Sequence, residues 1–98
     1  MNKWEELDKK YIWHPFTQMK GWLENPQLVI ERGDGVKLYD TEGREYLDFA
    51  AGIAVNALGY GNEAYKAALK DQVDKLLHIS NLYYQVPMGD AAARLTKA

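Results

Sequence analysis

The 98-residue sequence has no cysteine, only three prolines and two histidines, and no long hydrophobic run. Without cysteine there is no disulfide framework, no thiolate zinc site and no cysteine nucleophile. The longest apolar stretch, residues 49–55, falls far short of the roughly 18–20 residues that cross a bilayer. Charge of one sign is scarce as a pattern too. Twelve Lys and Arg stand against 14 Asp and Glu, for a net charge of −2, and no like-charge run exceeds two residues. The basic footprint that nucleic acid or an anionic membrane requires is absent. The opening MNKWEELDKK puts acids where a secretory signal needs a bare positive segment followed by an apolar one. These absences lead to the expectation of a cytoplasmic protein with neither nucleic acid nor membrane as partner. What is present, 47% hydrophobic, 27% charged and 12% aromatic residues, is the composition of one small globular unit.

Residues 3–11 place Trp4, Leu7 and Tyr11 at helical spacing among charges, which predicts a short amphipathic helix that must dock its stripe elsewhere. Residues 12–26 show no clean period and contain Pro15, Gly21 and Pro26, so an ordered but irregular arm is expected. All three tryptophans and five of the twelve aromatics fall between Trp4 and Trp22. These rings either pin the arm onto a core or line a pocket. Next come three short runs, Leu28-Val29-Ile30, Val36 to Asp40 and Glu45 to Phe49. They are separated by Gly33-Asp34-Gly35 and Thr41-Glu42-Gly43. That pattern predicts a three-stranded antiparallel meander, too thin to stand without a partner layer. Residues 50–61 are small and apolar with three glycines. Asn62 is positioned to cap a helix running to about His78, with Tyr65, Leu69, Val73 and Leu76 as its stripe. A last helix is expected over residues 88–98, with Pro87 at its start. No glycine, asparagine or proline closes it, so the sequence reads as cut off at Ala98. The fold class is α+β, in three parts: helix and arm (1–27), meander (28–49), and glycine-rich segment plus helices (50–98).

No constellation of catalytic groups stands out. His14 and His78 lie 64 positions apart, without carboxylates or a second histidine at ligand spacing, so no metal site is expected. His78 at a helix end suits the dipole instead. The single serine, Ser80, has His78 two positions before it, too close in sequence to fold back as its base. Gly59-x-Gly61-x-x-Ala64 satisfies a loose dinucleotide fingerprint, but the preceding segment is glycine-broken and the acid expected about 20 residues on is missing. A turn with a helix cap is the better explanation. None of the nine lysines sits in a stretch that would desolvate it, as an imine-forming lysine requires.

Two stretches nevertheless resemble one family. LVIERGDGVKLYDTEGREYLDFAAGIAVNAL (28–58) is similar to the N-terminal part of class III aminotransferases, pyridoxal-phosphate enzymes that include the acetylornithine and ornithine branches. The likeness continues to Leu76-Leu77-His78-Ile79-Ser80-Asn81-Leu82-Tyr83-Tyr84, where the acetylornithine branch has a very similar segment. Trp13-His14-Pro15-Phe16-Thr17-Gln18-Met19 instead resembles the arm of the diaminopelargonate and ω-amino-acid branches. The resemblance covers roughly residues 11–98 and leaves the branch open.

The resemblance implies part of the small domain of a fold type I aminotransferase. The parent would transfer an amino group between an ω-amine or amino acid and a 2-oxo acid, as a homodimer with sites near its interface. Its pyridoxal 5'-phosphate would be held by groups beyond Ala98, and the chain alone would be inactive. By position, Phe16 matches an arm aromatic that contacts substrate, with Trp13 and His14 beside it, and Ile53 matches a substrate-contacting position. Ser80, Asn81 and Tyr83 fall in the segment that approaches the active site near the dimer interface. Tyr60 stands where the family commonly has His, in a turn expected to play no part in the chemistry. The alternative is a stand-alone, non-catalytic interaction module.

Overall fold

The computed structural model describes residues 2–24 and 27–98. The described chain separates into two compact units, Met1–Asn62 and Glu63–Ala98. Pro26, expected to interrupt the arm, lies outside the described residues.

The first unit opens with helix α1, Lys3–Tyr11. Asn2 caps it, its side-chain oxygen accepting from the Glu5 N–H at 2.9 Å. Glu5 and Glu6 occupy the first turn and Lys9 and Lys10 the last, the order that complements the helix dipole. The Asn2 amide also donates to Thr41 Oγ1 at 3.1 Å, and Glu5 accepts from the Gln27 N–H at 3.2 Å. Both bonds fasten the helix to segments distant in sequence. The arm is less irregular than its sequence suggests, because Met19–Glu24 forms a short helix, α2, despite Gly21. Its type is set by local bonding such as Trp22 N–H to the Gln18 carbonyl at 3.1 Å, which no apolar period announces.

The meander is present, with strands β1 (Ile30–Asp34), β2 (Lys37–Asp40) and β3 (Glu45–Leu47) in that order, all antiparallel. Its first strand is shifted from the Leu28-Val29-Ile30 run. Gly33 and Asp34 belong to the strand, and the chain turns at Gly35-Val36. Two features explain the shift. Gly35 has φ +60°, the left-handed conformation that suits a turn. Gly33 lies under the Tyr60 ring, where a Cβ would come within 2.5 Å of Cγ, so only glycine fits that strand position. A bulge between Ile30 and Arg32 bends the edge. Leu38 pairs with Tyr46, and Tyr39 with Glu45. Gly35 and Tyr60 then exchange both backbone hydrogen bonds at 2.8 Å, bringing the glycine-rich segment against the hairpin turn.

In the second unit, the two expected helices are present as α4 (Glu63–Lys75) and α5 (Val86–Lys97). The Asp71–Lys75 pair forms at 2.8 Å. Helix α4 stops short of His78, and the Gln72 amide donates to the Leu76 carbonyl at 2.9 Å beyond its end. His78 therefore lies outside the helix, and Lys75 is the cation in the last turn. Pro87 sits at the start of α5, where its missing N–H costs nothing.

No hydrophobic side chain among the described residues is buried, and the stripe residues Tyr65, Leu69, Val73 and Leu76 are all exposed. The chain exposes 8861 Å2, whereas a folded monomer of its 11.2 kDa mass would expose about 5,700 Å2. No helix of the described residues is long and apolar enough to cross a membrane.

Candidate substrate-side site

Between α1 and α2, the arm is held by one carboxylate. Asp8 Oδ1 lies 2.7 Å from His14 Nε2 and accepts from Trp22 Nε1 at 3.4 Å. The His14 and Trp22 rings meet with centroids 4.2 Å apart. One acid, one imidazole and one indole thus clamp the chain on both sides of residues 15–17. Pro15 and Thr17 tighten that bend, the Thr17 hydroxyl donating to the Pro15 carbonyl at 3.0 Å. At its crest Phe16 has φ +54° and a fully exposed ring. Trp13 is 83% exposed, and residues Trp13 to Thr17 together line one concave surface. His14 and Trp22 pin the arm, while Trp13 and Phe16 are displayed by it.

Ile53 lies on the second unusual element. Residues Ala51–Ala54 (α3) form a single helical turn whose φ values are all positive, 49, 65, 65 and 62°. It is wound left-handed. The turn closes through Ile53 N–H to the Ala50 carbonyl at 2.8 Å and Val55 N–H to the Ala51 carbonyl at 2.9 Å. For an L-residue this conformation costs roughly 1–2 kcal/mol, and more for a β-branched side chain. Only Gly52 adopts it freely. The side chain so displayed, Ile53, is 90% exposed. Strain of this kind persists only where the surroundings over-determine it, and it clusters at sites that touch ligands.

The surroundings are Asp48, Asn56 and Tyr60. Asp48 Oδ1 accepts from the N–H groups of Ala50 and Ala51 at 3.1 and 3.0 Å, and Oδ2 accepts from the Tyr60 hydroxyl. The Tyr60 bond and the Ala51 N–H hold the Asp48 carboxyl below its ordinary pKa, and the same contact raises that of Tyr60. Asp48 did not stand out in the sequence, and Tyr60 did so only as a departure from the family's usual His, in a turn expected to play no part in the chemistry. The other hint was the pair of glycines flanking Tyr60, which resembled a phosphate loop. In the structure Gly59, at φ +71°, lets the backbone approach Gly35, whose carbonyl oxygen would lie 2.7 Å from an added Cβ.

Ser80, Asn81 and Tyr83 belong to the other unit and form a turn there. The Ser80 hydroxyl accepts from the Leu82 N–H, and its carbonyl from the Tyr83 N–H, both at 3.2 Å. The Tyr83 ring is exposed. The arm surface of residues 13–17 does not include Ile53.

Residues 19–98 match the family described as "Aminotransferase class-III". The chain belongs to the class-III aminotransferases. It is 43% identical over 94 residues to the acetylornithine aminotransferase of Archaeoglobus fulgidus, covering 96% of this chain and 23% of that protein. It is 46% identical over 77 residues to the adenosylmethionine-8-amino-7-oxononanoate aminotransferase of Methanocaldococcus jannaschii, covering 79% of this chain and 17% of that protein. The crystal structure of the Methanocaldococcus enzyme superposes with a TM-score of 0.92 at 41% identity, over 96% of this chain and 22% of that one. N-acetylornithine aminotransferase from Stenotrophomonas maltophilia superposes with a TM-score of 0.76 at 39% identity, over 95% and 22% of the two chains. The chain thus spans less than a quarter of the length of these relatives.

Class-III aminotransferases imply pyridoxal phosphate, whose covalent anchor is a lysine able to shed its proton in a desolvated site. The lysines described here do not fit that role. Lys9 and Lys37 are half-buried and paired with Glu5 and Glu45 at 3.2 and 3.1 Å, and the remaining lysines are exposed. The Glu45 carboxylate raises the pKa of Lys37, opposite to what imine formation needs. No step through the cofactor is therefore assigned to these residues.

Proposed function

We propose that residues 1–98 form the N-terminal part of a cytoplasmic, homodimeric pyridoxal-phosphate aminotransferase. It would transfer an amino group between an amino acid or ω-amine and a 2-oxo acid. In this reading the chain supplies the substrate-side wall. Trp13, Phe16 and Ile53 contact the apolar part of the substrate and keep water from it, while Ser80, Asn81 and Tyr83 approach the site near the dimer interface. The observation that carries the reading is the display of Phe16 and Ile53. Each is a bulky apolar residue held in the left-handed region with its side chain in the open. Apolar exposure is general in this chain, so it is the backbone that sets these two apart, because an ordinary turn places glycine at such positions.

The test uses the full-length aminotransferase carrying these residues. Phe16→Ala and Ile53→Ala should each lower kcat/KM for the amino donor about tenfold, the size of a lost apolar contact in a substrate pocket. Pyridoxal-phosphate affinity should stay within about twofold, since neither residue would anchor the cofactor. A parallel loss of stability and cofactor binding, with kcat/KM unchanged in the remaining holoenzyme, would instead make both residues structural.

A further inference from the structure

We infer that Tyr60 and Asp48 are positioning residues for substrate recognition: their pair, completed by Asn56, locks the left-handed turn of α3 and thereby aims Ile53. The inference rests on the proposal that Ile53 touches substrate, and adds what holds it there.

Three links connect the pair to the turn. At the entry, Asp48 Oδ1 takes the Ala50 and Ala51 N–H groups, fixing the residues at which φ turns positive. At the exit, the Asn56 N–H donates to the Ala51 carbonyl at 3.0 Å, and the Asn56 side-chain amide donates to the Tyr60 hydroxyl at 3.2 Å. The hydroxyl closes the circuit by donating its own proton to Asp48 Oδ2. One phenolic oxygen therefore accepts from the exit of the turn and donates to the residue that caps its entry.

Tyr60 can serve as a fixed post because it is held independently of that oxygen. Its N–H and carbonyl both bond to Gly35 at 2.8 Å, and its ring lies against the bare Cα of Gly33. The sheet fixes Tyr60, Tyr60 and Asp48 fix the turn, and the turn presents Ile53. The lowered pKa of Asp48 agrees with a carboxylate that stays charged and accepting. Gly33 and Gly59 are explained together, since each admits a close approach of this post to the hairpin, while Gly35 supplies the positive φ of the turn itself.

The experiment compares Tyr60→Phe, Ile53→Ala and the double variant in the full-length aminotransferase, with amino donors of differing bulk. Tyr60→Phe keeps the ring over Gly33 and deletes only the hydroxyl. It should raise KM for the donor about five- to tenfold and blunt discrimination between bulky and small donors. Cofactor affinity and kcat at saturating donor should change less than twofold. In the double variant the two effects should not multiply, because Tyr60 acts through Ile53. Multiplying effects, or an unchanged donor KM in Tyr60→Phe beside an altered one in Ile53→Ala, overturn the brace and leave the substrate-side reading standing. No donor effect in Ile53→Ala overturns both. Should Tyr60→Phe not yield folded protein, Asn56→Ala, which cuts the link at the exit, must give the same non-multiplying KM effect, and failure to do so overturns the inference.

Discussion

At Asp40 four hydrogen-bond donors converge on one carboxylate. The N–H groups of Glu42 and Arg44 reach Oδ1 at 2.9 Å each, while Arg44 Nε and the Tyr46 hydroxyl reach Oδ2 at 2.8 and 3.0 Å. Asp40 is 4% exposed, the one buried polar residue among those described. Desolvation alone would raise its pKa, but the hydrogen bonds from Arg44, Tyr46 and Glu42 outweigh it and lower the value from 3.8 to about 2. The folded-state pKa is depressed, so the stabilisation is complete above the ordinary carboxylate value and is lost as pH falls through about 2. The β2–β3 hairpin should therefore loosen between about pH 4 and pH 2. Amide hydrogen exchange at Glu42 and Arg44 across that range is the measurement. Asp40→Asn should bring the faster exchange to neutral pH and remove its dependence on acid, and an acid limb that survives the substitution would place its origin in another group.

Among the elements, the contrast between α1 and α3 shows what the sequence could and could not disclose. Helix α1 announces itself by Trp4, Leu7 and Tyr11 at helical spacing, an Asn2 cap and charges ordered along the dipole, all local signals. The meander is similarly legible in its glycine and aspartate turns, although the place of Gly33 depends on Tyr60, 27 positions later. Nothing local in AAGIA specifies a left-handed turn, since Ala and Ile disfavour one. Asp48 takes the Ala50 and Ala51 N–H groups locally, but the Tyr60 hydroxyl that joins it to Asn56 comes from 12 positions on, from a residue held by its backbone bonds to Gly35. Family resemblance could point to Ile53 by position, but neither spacing nor composition could point to its brace. Strain held by tertiary contacts has a measurable consequence. Ile53→Gly should relieve the penalty at φ +65° and raise stability by about 1 kcal/mol, the left-handed cost less glycine's extra freedom in the unfolded chain. The gain should appear as a higher denaturant midpoint together with a lower donor kcat/KM. A lower midpoint would show that packing of the Ile53 side chain outweighs the strain of its backbone.

Across the whole molecule the governing quantity is exposed surface. The chain shows 8861 Å2 to solvent, about 3,000 Å2 more than a folded monomer of its mass is expected to expose. That excess is above the roughly 1,000–2,500 Å2 that one partner contributes to an obligate interface. The exposed apolar residues include the α4 stripe, the displayed arm residues and Phe49. The structure is consequently held by hydrogen bonds and ion pairs at helix ends and turns, with no buried hydrophobic side chain among the described residues to make its unfolding cooperative. Net contributions of such bonds are only about 0.5–1.5 kcal/mol each, too small to replace a core against the entropy of ordering the chain. A polypeptide of residues 1–98 alone should therefore bind a hydrophobic dye strongly and sediment as species heavier than 11.2 kDa. Its thermal melt should be broad, with a heat-capacity change well below the roughly 1.2–1.5 kcal/mol/K of a 100-residue domain, because little apolar surface is there to be uncovered. A dilute monomer with no dye binding and a sharp calorimetric transition would show instead that these elements bury a core of their own in solution. The exposed stripes would then cease to be surfaces awaiting cover.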